Sequence, residues 1–107
     1  MASTPLRLHG PAQVATGPAT KYTVPAATKT VVRHVHIQNP SGSPVTFTMS
    51  VGADAVGTRV FDAFSIPANS VYDWWTYLVL EAAEIIQAGA GTNNILTLTI
   101  DGDARTL

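Results

Sequence analysis

Two histidines that stand two residues apart, His34 and His36, are the residues of this chain whose type and spacing could do chemistry. Histidine is the side chain that most often binds metals in proteins. On a β-strand, residues i and i+2 point to the same side, so both imidazoles would face one way. The pair therefore poses a choice between a metal site and a surface on which something larger docks.

The rest of the sequence offers this pair no metal-binding motif. Zinc or iron needs a third protein ligand, usually another histidine or a carboxylate close in space. There is no cysteine and no HExxH motif, and the remaining candidates are scattered: His9, Asp62, Asp73, Glu81 and Glu84. We therefore expect no metal and no cofactor, and we interpret the pair as either exposed to solvent or buried at a contact between subunits.

The sequence carries no recognisable catalytic motif. A GxSxG segment, a P-loop, a GxGxxG segment and an EF-hand loop are all absent. Glu81 and Glu84 are explained better by solvation than by acid–base work on a glycosidic bond. Asp101 and Asp103 lack the other oxygen ligands of a calcium loop. We expect that the protein is not an enzyme.

The segment VYDWWTY has the highest aromatic density in the chain, with Tyr72, Trp74, Trp75 and Tyr77 close together. On a strand, Tyr72 and Trp74 would share one face, and Trp75 and Tyr77 the other. Only one pair can point into a core. The other pair is then covered by the protein's own loops, meets another subunit, or stacks on a sugar ring. Both pairs are therefore interface candidates, together with the two histidines.

The composition favours a folded subunit of an assembly. The chain has 107 residues, 46% of them hydrophobic and only 12% charged, which is about half of the usual charged fraction of ~25%. Such a surface suits burial against neighbours better than isolation in water. The net charge is −1 and the basic residues are scattered, so we expect no nucleic-acid partner. The sequence also predicts no signal peptide and no membrane span.

Period-two alternation of apolar and polar residues, with turn signals about every 8–12 residues, predicts an all-β protein. We expect an antiparallel β-sandwich, jelly-roll or Ig-like, of seven to eight short strands in residues 21–107. Residues 1–20 are rich in proline and glycine and are expected to form an extended N-terminal arm without a core of its own.

The strand over Thr30–Asn39 carries the histidine pair, and its alternation predicts which side chains face the core. The more apolar set is expected to point inward, and it consists of Val31, Arg33, Val35 and Ile37. The opposite set would then point outward: Val32, His34, His36 and Gln38. The turn signal in Asn39–Pro44 predicts a hairpin with the next strand, Val45–Val51.

The order of these segments resembles small β-sandwich proteins found among the virion genes of tailed bacteriophages. The resemblance rests on KYTVPAATKTVVRHVHIQNPSGSPVTFTMSVG, FSIPANSVYDWW, LVLEAAEIIQAGAG and ILTLTIDG, and it covers roughly residues 20–103. It implies a non-enzymatic virion component: a minor tail or tail-tip subunit, a collar piece, or a capsid decoration protein. Its partners would be copies of itself and other virion proteins.

The sequence departs from the resemblance at one turn, and it leaves a second function open. Where these proteins have Gly-Asp, this chain has Ala83 and Glu84, so the turn there lacks the freedom of glycine at positive φ. The exposed aromatic residues also leave an alternative function open, a carbohydrate-binding module that attaches a virion to glycans of the host surface.

Overall fold

The computed structural model describes residues 3–107 as eight β-strands and one short 3-10 turn, Val56–Thr58. The strands are β1 (Thr4–Gln13), β2 (Ala19–Thr23), β3 (Thr28–Asn39), β4 (Val45–Val51), β5 (Arg59–Ile66), β6 (Ser70–Leu80), β7 (Ile85–Ala90) and β8 (Thr97–Thr106). Among residues 3–107, no helix is long and apolar enough to cross a membrane.

The eight strands form two antiparallel sheets of four. The first sheet has the order β1-β8-β3-β6, and the second has the order β2-β7-β4-β5. The pairings are nested: β1 with β8, β2 with β7, β3 with β6 and β4 with β5. Such a chain is one long hairpin rolled up so that successive pairs fall in alternate sheets, which is a jelly roll. The predicted antiparallel sandwich is confirmed, and the jelly-roll alternative is the one observed.

The predicted hairpin between β3 and β4 is wrong, because the two strands belong to different sheets. The turn after β3 carries the chain across the sandwich and is held by the buried amide of Asn39. Its Nδ2 donates hydrogen bonds to the carbonyl oxygens of Ser43, at 2.9 Å, and Ile66, at 3.0 Å. Its Oδ1 accepts from the amide of Ser41 at 3.1 Å. These bonds replace the strand pairing that a hairpin would have given.

The hydrophobic core lies between the two sheets. Its largest fully buried side chains come from six strands and three loops: Val14, Val24, Val32, Ile37, Phe47, Met49, Ile66, Leu80, Ile86, Leu96, Leu98 and Ile100. Burying one such side chain stabilises a fold by about 1.5–3 kcal/mol. The alternation in Leu96, Leu98 and Ile100 is the pattern that the sequence predicts for β8, and all three are buried.

The boundary expected at residue 20, between an arm and the sandwich, does not divide the structure. The N-terminal segment is extended, but β1 is the edge strand of the first sheet and pairs with β8 from Thr4 to Gln13. Leu8 and Val14 are buried in the shared core. The sequence conceals this strand because its alternation is broken by register shifts around His9.

A β-bulge in β3 changes which residues face the core. The register of β3 shifts between Val32 and His34 against both neighbouring strands. Val32 is buried, Arg33 is exposed, and Val35 is buried again. The inward set predicted for this strand is therefore correct for Val35 and Ile37 but wrong for Val31 and Arg33, which lie on the outside.

Gly102 of β8 permits this bulge. It pairs with Val32 and is buried. A Cβ atom at this position would stand 2.0 Å from the carbonyl oxygen of Val31 and 3.2 Å from Cδ1 of Leu8. The backbone of β3 can approach so closely only because residue 102 has no side chain.

The turn at Ala83 keeps a left-handed conformation without glycine. Ala83 has φ of 70°, and the amide of Glu84 donates to the carbonyl oxygen of Glu81 at 3.1 Å. Alanine in this region is strained by about 1–2 kcal/mol. The turn is held nonetheless by the amide of Ala83, which donates to the carbonyl oxygen of Val24 at 3.1 Å.

Replacing Gly102 with alanine is expected to lower the free energy of unfolding by about 1–3 kcal/mol, because the methyl group would collide with backbone rather than with a movable side chain. Urea unfolding followed by tryptophan fluorescence measures the change. Gly42→Ala is the matched control, since a Cβ at Gly42 meets nothing within 4 Å. Equal stability of Gly102→Ala and the wild type would contradict this account of the bulge.

Candidate functional site

The candidate site lies on the outer face of the first sheet, the face turned away from the second sheet. The bulge of β3 places both His34 and His36 there, with side chains 16% and 36% exposed. The prediction that the two imidazoles share one face is confirmed. β6 lies next to β3, and its residue Asp73 is paired directly with His36.

Asp73 joins the two histidines into one cluster. The distance from its Oδ1 to Nε2 of His34 is 2.8 Å, and the distance from the same oxygen to Nδ1 of His36 is 2.5 Å. We call His34, His36 and Asp73 the His–Asp cluster. Hydrogen bonds from His36 and then from His34 hold the pKa of the Asp73 carboxyl below its usual range, because they favour the charged carboxylate.

Trp75 covers one side of this cluster. Its indole ring stacks on the imidazole of His34, with ring centroids 3.9 Å apart and an angle of 10° between the planes. Trp75 is nevertheless 74% exposed, so the other face of its indole ring is open to solvent. The stacking restrains both rings, since each limits the rotamers of the other.

Tyr77 continues the exposed surface along β6. It is 66% exposed, and the guanidinium carbon of Arg33 lies 5.1 Å from the centre of its ring, within cation–π range. Arg33 also forms an ion pair with Asp103, at 2.7 Å. A small cavity of about 120 Å³ opens beside Tyr77, and Lys29 and Arg105 are among its lining residues.

Tyr72 and Trp74 point the other way. Both are partly buried and pack against the core. Phe61 of β5 meets both rings edge to face, with centroids 6.0 Å from Tyr72 and 4.9 Å from Trp74. The prediction that the two aromatic pairs occupy opposite faces is confirmed, and the pair that the fold leaves open is Trp75 and Tyr77.

His9 belongs to a different part of the molecule. It stands on β1, opposite Ile100, and its Nε2 is buried without a hydrogen-bond partner among the described residues. Burial, and then the positive charge of Lys21, lower the pKa of His9 below its usual range. The third histidine of the chain therefore does not complete a site with His34 and His36.

The sequence names Asp73 only as one of several scattered candidate ligands, and Asp101 only as part of an incomplete calcium loop. It places neither residue beside the two histidines. Oδ2 of Asp101 lies 3.8 Å from Nδ1 of His34, and Asp101 stands opposite His34 in the β3–β8 pairing. Both aspartates alternate outward on their own strands, which is a visible signal. What the sequence lacks is the strand order, because both neighbours of β3 are remote in the chain.

The fold and this outer face define a jelly-roll domain with an aromatic and histidine-bearing surface. A chain in the structure of the infectious bursal disease virus Gx strain has a similar fold, with a TM-score of 0.50 and 8% sequence identity. The likeness covers 96% of this chain but only 30% of that chain. No family model matches the sequence, and no curated protein does. At so low an identity, the likeness shows the fold alone.

The pKa of His9 makes a pH effect on stability testable. Because its pKa is lower in the folded state than in the unfolded chain, the unfolded chain takes up a proton first as the pH falls. The stability that His9 contributes is therefore present above its ordinary pKa of about 6.5 and is lost below it. We expect the unfolding free energy to fall more steeply from about pH 7.5 to about pH 5 in the wild type than in His9→Gln. Urea titrations at each pH give both slopes, and identical slopes would contradict the assignment.

Proposed function

We propose that this protein is a non-enzymatic structural subunit of a virus particle, and that it acts by packing β6 against copies of itself or other virion proteins. The observation that carries the proposal is the row of exposed apolar and aromatic side chains on β6. We call this row the β6 stripe; it consists of Val71, Trp75, Tyr77 and Val79, which are 51%, 74%, 66% and 42% exposed.

The β6 stripe has the chemistry of a protein contact. Tryptophan and tyrosine are enriched among the residues that dominate binding energies. Each can remove about 150–250 Å² of surface from water, at about 25 cal/mol per Å² of apolar area. The stacked pair of Trp75 and His34 and the Arg33–Tyr77 contact already restrain two of these rings, so less side-chain entropy is lost when a partner covers them.

β6 is also an open sheet edge. Within residues 3–107 it pairs with β3 alone and forms the end of the first sheet. Edge strands that stay unpaired usually carry lysine, proline or inward charges. β6 has eleven residues, no proline and a single charged residue, Asp73. Backbone pairing with a second copy would satisfy this edge and bring the β6 stripes of two subunits together.

Three further observations support a virion role. The fold is a jelly roll, an architecture found in viral capsid domains, and a similar fold occurs in a chain of a virus structure. The low charged fraction of 12% suits a buried surface. The turn motifs resemble those of tailed-phage virion proteins, which makes the finer proposal a minor tail, tail-tip or head-decoration subunit located in the virion.

Light scattering after size-exclusion chromatography tests the proposal. We expect the wild type to elute as a homo-oligomer, and Trp75→Ser combined with Tyr77→Ser to shift it to the monomer, because the exposed aromatic area would be lost. Val56→Ser is the matched control, since Val56 is 80% exposed at the 3-10 turn between β4 and β5, which belong to the second sheet. A wild type that is monomeric at every concentration and binds no other virion protein would exclude this function.

The open face of Trp75 favours a second candidate, carbohydrate binding. One side of the indole is covered by His34, and the other is free and fixed in orientation. A fixed aromatic face is the platform on which sugar rings stack, and charged groups line the cavity beside Tyr77. Attachment to glycans of a host surface would be the corresponding function.

A glycan array separates the two candidates. Carbohydrate binding predicts saturable binding that Trp75→Ala abolishes, while Trp74→Phe, on the opposite face, leaves it intact. The structural role predicts no such binding by the wild type and a loss of assembly in the Trp75 variant. Saturable binding by wild type and Trp75→Ala alike would contradict the assignment of Trp75 as the sugar platform.

A further inference from the structure

We infer that the His–Asp cluster is a binding site for a divalent transition-metal ion, with zinc as the ion it suits best. One nitrogen of His34, one of His36 and one carboxylate oxygen of Asp73 all lie within 4.8 Å of one another. Three ligand atoms from two neighbouring strands thus converge on one point of the outer face. The proposed function does not require this site, and a monomer could bind the ion.

The distances are close to those of a coordinated ion. Zinc binds histidine nitrogen and carboxylate oxygen at about 2.0–2.2 Å, which places tetrahedral ligand atoms about 3.3 Å apart. The two nitrogens stand 2.8 and 2.5 Å from Oδ1 of Asp73. An ion would therefore need each nitrogen to move away from Oδ1 of Asp73 by less than about 1 Å, and the two nitrogens already lie within 4.8 Å of each other. Rotation of the His36 and Asp73 side chains, which are 36% and 40% exposed, supplies that movement while the His34 ring stays stacked on Trp75.

The donor set selects the kind of ion. Two imidazoles and one carboxylate suit zinc and other divalent first-row metals, whereas calcium and magnesium prefer sites made of oxygen. Three protein ligands leave at least one coordination position open. The exposed side chains of His36 and Asp73 place that position toward solvent, where water or another molecule can fill it.

Asp101 completes the arrangement from the far side of His34. Its Oδ2 lies 3.8 Å from Nδ1 of His34, while Nε2 of the same ring points to Asp73. When an ion takes the lone pair of Nε2, the hydrogen of the neutral imidazole stands on Nδ1, where the negative charge of Asp101 nearby favours it. Asp101 also approaches Arg7, at 3.8 Å, so its charge is shared between the two.

Trp75 and the bulge fix the position of the ligands. The indole lies parallel to the His34 ring and limits its rotation. The bulge between Val32 and His34 turns both histidines outward, where β6 presents Asp73. Ligands held in place before the ion arrives lose less entropy on binding it.

Isothermal titration of the tag-free protein with Zn²⁺ tests the inference, because an oligohistidine tag would bind zinc itself. We expect one saturable site per chain in the wild type. His36→Ala and Asp73→Asn should lose this binding, and Asp101→Asn should weaken it by about tenfold. His9→Gln is the matched control and should bind like the wild type, since it removes a histidine outside the cluster.

Spectra show whether a variant loses metal binding because a ligand is missing or because the protein is unfolded. Co²⁺ should give visible absorption bands that Zn²⁺ displaces, and Cu²⁺ should quench tryptophan fluorescence in the wild type far more than in Trp75→Phe. Each variant is first shown to be folded by its circular dichroism. Absence of saturable zinc binding by the wild type overturns the inference, and so does equal binding by folded His36→Ala or Asp73→Asn.

Discussion

The close approach of Val31 to Gly102 is the contact on which the outer face of this protein depends. The carbonyl oxygen of Val31 lies close to Gly102, which has no side chain, and the register of β3 against β8 shifts directly after Val32. Beyond this shift, the odd-numbered residues of β3 face the core instead of the even-numbered ones. Val32 is buried before the shift, and Val35 and Ile37 are buried after it. Without the shift, His34 would share the inward side with Val32, and an imidazole in the core would need a buried partner. The bulge instead sends the histidine to the surface and keeps a continuous apolar core.

The jelly-roll order then brings together residues that the sequence keeps far apart. β3 is flanked by β8 and β6, so His34 has Asp101 on one side and Trp75 on the other. The same order leaves β6 at the edge of the sheet, where its outward side chains have no covering layer. One strand therefore serves two purposes: its inward rings, Tyr72 and Trp74, fill the core against Phe61, while its outward rings form a surface.

The sequence predicts the elements of this fold better than their arrangement. The bounds of β4 coincide with the predicted Val45–Val51, because an uninterrupted alternation marks one buried face. The alternation of β3 predicts Val35 and Ile37 correctly but fails at Val31 and Arg33, because the bulge depends on Gly102, about seventy residues later in a different strand. The same limit applies to the candidate site: the histidine pair is visible in the sequence, but its third member, Asp73, becomes a neighbour only through the pairing of β3 with β6. The N-terminal strand was missed because the shifts around His9 break its pattern.

The pairing of β1 with β8 has a consequence for protein engineering. Thr4 stands opposite Ala104, so the two ends of the described chain leave the sandwich side by side at one end of the first sheet. A short linker could join them and allow the chain to be opened in a surface loop as a circular permutant. The same proximity would let the domain be grafted into a loop of a host protein without stretching either connection.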